Sequence, residues 1–158
     1  MRRWNMNNPT EVRDVQAHMS AVMDDRLRAI MLQQLSYIGE HAVKVARDKT
    51  RANTWGDRTG NLRSSIGYVI LDNGQVVKSG RTERHSGPEG NGAEGESTAK
   101  TVLNRIASSN SKGMVLIVTA GMDYAEYVEF RHNKDVLFTS WKEAERLAEK
   151  LIKPLFKK

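Results

Sequence analysis

Apolar residues in the first third of the chain return every three or four positions, from Val12, Val15 and Met19 through Leu27, Ile30 and Leu35 to Ile38, Ala42 and Val45. That spacing is the period of an α-helix. Asn8 suits the cap, Pro9 the first helical position, and Glu11 sits three residues after the cap. The stretch fits one bent helix or two. Gly39 is the expected weak point, because glycine costs ~1 kcal/mol relative to alanine inside a helix.

The pattern breaks between Thr50 and Ser65, where Trp55-Gly56-Asp57-Arg58-Thr59-Gly60-Asn61-Leu62-Arg63 reads as a structured loop. A β-rich run follows in Ile66, Tyr68, Val69, Ile70 and Leu71. Asp72-Asn73-Gly74 is then a hairpin turn, since Asn-Gly accepts the positive φ angles of a type I′ turn, and Val76 and Val77 begin the returning strand. From about 80 to 96 the chain is polar, rich in glycine and without apolar period, which reads as a flexible loop. Ser97 is placed to cap a helix carrying Ala99, Val102, Leu103 and Ile106 on one face.

Met114-Val115-Leu116-Ile117-Val118 is a continuous apolar run and is expected to be the most buried strand. Asp123 and Glu126 mark a short helix through Tyr124, Tyr127 and Val128. Ser140 with Glu143 spells a capping box for a last helix whose buried face is Trp141, Ala144, Leu147, Ala148, Leu151 and Leu155. The order predicts an α+β domain. In it the long N-terminal helix and the C-terminal helix pack on one face of a small, mainly antiparallel sheet.

Composition narrows the picture. A chain of 158 residues suits one domain. With no cysteine, disulfides, thiolate metal sites and thiol catalysis are excluded. The start of the chain has no apolar signal core, and no run approaches the ~18 apolar residues that span a bilayer. A soluble protein of the cytoplasm is therefore expected. The net charge of +6 favours acidic partners. Basic residues are densest from Lys44 to Arg63, and Arg51, Arg58 and Arg63 are the candidates to face an acidic surface or DNA.

Chemistry is hard to find. Gly90-Asn91-Gly92-Ala93-Glu94-Gly95 spells G-x-G-x-x-G, but no buried strand precedes it, and Glu89, Glu94 and Glu96 would repel a pyrophosphate. His18, His41, His85 and His132 lack metal-ligand spacing. The acidic pair Glu126 and Glu129 shares a helix face without the opposed environments that acid–base catalysis needs. No catalytic, cofactor or metal residue is expected.

Three segments carry more information: Thr59-Gly60-Asn61-Leu62-Arg63-Ser64-Ser65-Ile66, then Tyr124-Ala125-Glu126-Tyr127-Val128-Glu129-Phe130, then Val136-Leu137-Phe138 ahead of the final helix. In this order they resemble the gene-product-ten-like tail-component family of lambdoid siphophages and prophages, over roughly Leu27 to Leu155. In that family a T-G-x-L-R-x-S-I segment introduces the sheet, and a strand leads to Y-A-x-Y-V-E-F. The family usually continues with glycine and threonine, where this chain has Arg131-His132. The resemblance implies a non-enzymatic connector or tail-completion subunit. It would assemble in the host cytoplasm, stand at the virion neck or tail, form homo-oligomeric rings and bind neck or tail proteins. DNA in the channel is a possible further contact. The interaction residues implied are Thr59, Gly60, Leu62, Tyr124, Tyr127 and Glu129, beside Arg51, Arg58 and Arg63. The basic charge alone suggests an alternative, a nucleic-acid-binding module.

Overall fold

The computed structural model describes residues 9–49, 55–107, 112–130 and 134–156, and its sheet is arranged around one strand. This is β1 (Ile66–Asp72), with residues 66–71 all buried. It forms antiparallel pairs on both sides, with β2 (Gln75–Ser79) and with β3 (Met114–Ala120), giving the order β2-β1-β3. The β1–β2 turn is the expected one, with Asn73 and Gly74 both at positive φ, 51° and 81°. Asn73 also donates its backbone N–H to Gly113 at 2.9 Å and accepts one from Gly113 on its side chain, so one residue fixes both the hairpin and the start of β3.

The chain divides into two compact units, Met1–Gln33 and Gln34–Lys158. Helix α1 (Pro9–Arg47) runs through both sets of residues. Pro9 is its first residue, while Asn8 lies outside the described residues. In the first unit Met19, Met23 and Ile30 are exposed on the helix.

The second unit holds the sheet. Residues of β1 alternate between its two faces. Val69 and Leu71 meet Leu103 of α3 (Ala93–Ala107), with Ile106 and Ile117 packed alongside. On the other face Tyr68 lies against α1. A Cβ at Gly39 would stand 2.6 Å from the Tyr68 ring, so this glycine does not break the helix but makes room for an aromatic side chain. The Tyr68 hydroxyl donates to Glu40 at 2.8 Å. Burial and this carboxylate together push the phenol's pKa upward. On the same side α5 (Phe138–Leu151) is tied to α1 by the Ser140 hydroxyl, which donates to the Ala42 carbonyl at 2.8 Å. The α+β class and the placing of the two long helices on one antiparallel sheet are therefore as expected, with α3 covering the opposite face.

Three expectations need correction. The continuous apolar run of β3 is not the most buried strand: it is an edge, and all its residues are only half-buried. A central strand and an edge strand backed by helices can carry the same apolar run, and composition does not separate them. Helix α3 begins at Ala93, not Ser97, because Asn91 accepts from the Ala93 N–H at 3.1 Å and the Asn61 side chain from Gly95 at 3.3 Å. Ser140 does not cap α5; it is buried and its hydroxyl is used on α1. Glu143 pairs instead with Arg146 at 2.8 Å.

Candidate docking surface

The Thr59–Ile66 segment folds as a short helix α2 (Asn61–Ser64) locked onto the glycine-rich stretch. Gly60 has φ 79°, and a Cβ there would meet the His85 carbonyl oxygen at 1.9 Å. Ser64, fully buried, donates to the Gly60 carbonyl at 2.7 Å and accepts the His85 N–H at 2.8 Å. Gly92 donates to the Thr59 carbonyl at 3.0 Å, and Glu89 to that of Arg58 at 2.8 Å. A Cβ at Gly87 or Gly95 would strike the backbone of Arg58 or Asn61 within 2.3 Å. The glycines between 87 and 95 thus have a packing role that composition did not show.

The basic residues of this region have partners within the chain. Arg58 forms a forked pair with Glu89, with Nε 2.9 Å from one carboxylate oxygen. Arg63 reaches the Lys49 carbonyl at 2.7 Å and lies over the Trp55 ring at 5.5 Å. Arg47, buried, pairs with Glu83 at 3.0 Å and donates to the Ile66 carbonyl at 2.8 Å. Burial pulls its pKa down against the attraction of Glu83. His85 is held below the usual histidine range by burial and by the nearby Arg47 charge. Lys44 pairs with Asp48 and Lys49 with Asp135. Arg51 lies outside the described residues.

The remaining candidates separate. Leu62 is a core residue. Thr59 bonds to the Tyr124 hydroxyl, whose pKa is raised by burial and by Asp57. Glu129, on α4 (Ala125–Phe130), is a distant helix cap: its carboxylate accepts the N–H groups of Val136, Leu137 and Phe138 at 2.9, 2.7 and 3.2 Å. A carboxylate there also complements the helix dipole. Replacing Glu129 with alanine is expected to cost about 1–2 kcal/mol, read as a lowered urea midpoint at unchanged slope.

What the sequence reading missed is aromatic. Beside Tyr127, an expected interaction residue that is 53% exposed, Phe130 is 77%, Phe138 58% and Trp141 54% exposed. Trp141 thus does not belong to the buried face of α5. The Phe138 and Trp141 rings lie 6.1 Å apart, with the Lys142 ammonium 4.5 Å from the Trp141 ring centre. Phe130, Phe138 and Trp141 border an apolar groove floored by Val118 and Ala120 of β3. The available signal was the spacing of Phe138 and Trp141, one helical turn apart on α5. Among the described residues no group of three or more His, Asp or Glu side chains converges as a metal site, and no helix is long and apolar enough to cross a membrane. Comparison with known proteins finds no matching family model, no matching curated protein and no matching solved structure.

Proposed function

We propose that the chain is a structural subunit of a phage or prophage. It stands at the head–tail junction or tail end, and works by protein–protein assembly. The observation that carries this reading is the group of exposed aromatic side chains around the β3–α5 groove, since large aromatic residues left in water on a small domain mark an interaction surface. The ordered segments Thr59–Ile66 and Tyr124–Phe130, with their resemblance to tail components, give the surface its biological setting. The nucleic-acid alternative draws on the basic stretch, yet the described cations there (Lys44, Arg47, Lys49, Arg58 and Arg63) all have partners inside the chain.

The test is particle yield from the phage genome encoding the protein, with Phe130→Ser and Trp141→Ser introduced together. Yield is expected to fall at least about tenfold while the melting temperature of the isolated protein changes little, since exposed anchors act on binding more than on folding. Normal yield would remove the proposal.

A further inference from the structure

We infer that two copies of this chain pair through their β3 strands, edge to edge and antiparallel, making one continuous six-stranded sheet. This rests on the assembly reading above and names a partner for the same groove.

The register shows which backbone groups are free to do this. Gly121 donates to Ser65 and Asn73 to Gly113, both in line with the β1–β3 register. The narrow, hydrogen-bonded pairs therefore fall on residues 115, 117 and 119 of β3. Met114, Leu116, Val118 and Ala120 turn their N–H and C=O groups the other way, toward the open edge, and no described residue bonds them.

The two edges of the sheet differ. β2 is short, fully exposed, carries Lys78, and meets β1 through a bulge opposite Ile70 and Leu71. Those are the features that stop an edge from recruiting another strand. β3 has none of them: seven regularly paired residues, without charge, proline or bulge. Its outer flank opens into the apolar groove beside Leu137 and Trp141.

A second copy is the occupant that fits. Antiparallel pairing about a two-fold axis at Ile117 sets Leu116 opposite Val118 and Met114 opposite Ala120. All of these have outward-facing backbone groups, and the pairing forms about eight hydrogen bonds. An odd-numbered offset would place bonded groups against unbonded ones and is forbidden. The same register brings Lys112 of one copy to the Met122–Asp123 turn of the other, so opposite charges meet at both ends of the joint. The pairing is isologous and closes on itself; a ring needs a further head-to-tail surface.

Light scattering of the full-length protein over a concentration series tests this, and the wild type is expected to be a dimer. Val118→Pro removes an outward N–H without touching the β1 ladder, so it is expected to give a folded monomer. Because proline can strain a strand, a second set of variants lies on exposed residues. Lys112→Glu and Asp123→Lys are each expected to weaken the dimer about tenfold or more, and the double exchange to restore it. A wild type that is monomeric at every concentration, or a dimer indifferent to these variants, overturns the pairing. The assembly reading is scored separately by particle yield with the Phe130 and Trp141 variants. A monomer whose yield depends on those aromatics sinks the pairing and leaves the assembly role standing.

Discussion

Replacing Lys49 with alanine is expected to cost about 3–5 kcal/mol, the range for removing one partner of a buried ion pair. Lys49 is only 6% exposed. Its ammonium donates to the Asp135 carboxylate at 2.6 Å, to the Asp135 carbonyl at 2.8 Å and to the Val136 carbonyl at 3.1 Å, so each of its three protons has an acceptor. The Asp135 carbonyl takes a further bond from the Trp55 indole at 3.2 Å. Removing the amine leaves a carboxylate and two carbonyls short of a donor in a half-dry site. Chemical denaturation of Lys49→Ala, Asp135→Ala and the double variant is expected to show a coupling of about 1–3 kcal/mol between the two positions. Additive losses would mean that the pair does not act as one.

The same pair sets an acid limit. Burial alone would raise the Asp135 carboxyl pKa, but the bonds from Lys49 and Thr139 outweigh burial and hold it below the ordinary aspartate range. A folded-state pKa below the unfolded one gives stability that is present in full above about pH 4, the unfolded aspartate value, and is lost as pH falls through the folded pKa. The wild type should therefore lose stability on acidification below that point more steeply than Asp135→Asn.

Gly60→Ala is expected to be the most damaging glycine substitution, and Gly113→Ala shows why. Both glycines have φ 79°, so the cost of putting an L-residue in the left-handed region, about 1–2 kcal/mol, is common to both. Around Gly113 an added Cβ meets nothing within 4 Å. At Gly60 it would stand 1.9 Å from the His85 carbonyl oxygen and 3.0 Å from the Gly87 nitrogen, both of them backbone atoms. Relief requires α2 and the 85–92 segment to separate, which breaks the Ser64 bonds to Gly60 and His85. A loss of about 4 kcal/mol or more is expected for Gly60→Ala, against about 1 kcal/mol for Gly113→Ala. Equal losses would show that backbone strain alone governs the position.

Periodicity made the long helix, the hairpin and the α+β class legible, because each rests on local spacing: three and four in α1, and an Asn-Gly pair between apolar runs at 73 and 74. Features that depend on distant partners were hidden. Ser140 and Glu143 have the right letters for a capping box, but the serine is claimed by Ala42, and the cap of α5 is supplied by Glu129 from another helix. The run 114–118 shows the same limit, since its apolar letters do not say which of two strands stands in the middle. At the docking surface the motif segments were visible, as was the inward side of Leu62, and the structural duties of Arg63 and Glu129 were not. Trp141 was read with the core because an aromatic on an amphipathic helix usually belongs there, and Phe138 stands one turn before it. Their exposure follows from β3 being the last strand of the sheet, with nothing described beyond it to cover them.

The bonds that close this domain join residues far apart in the chain: Lys49 to Asp135 across 86 positions, and Ala42 to Ser140 across 98. During synthesis, at ~5–20 residues per second, the first partner of each tie waits on the order of ten seconds for the second to leave the ribosome. While residues 80–113 are being made, Ile66–Leu71 has its hairpin mate but neither β3 nor α5. The most apolar segment of the nascent chain is then a strand with one open side and one uncovered face, the kind of surface that holdase chaperones bind and that aggregates when they are scarce.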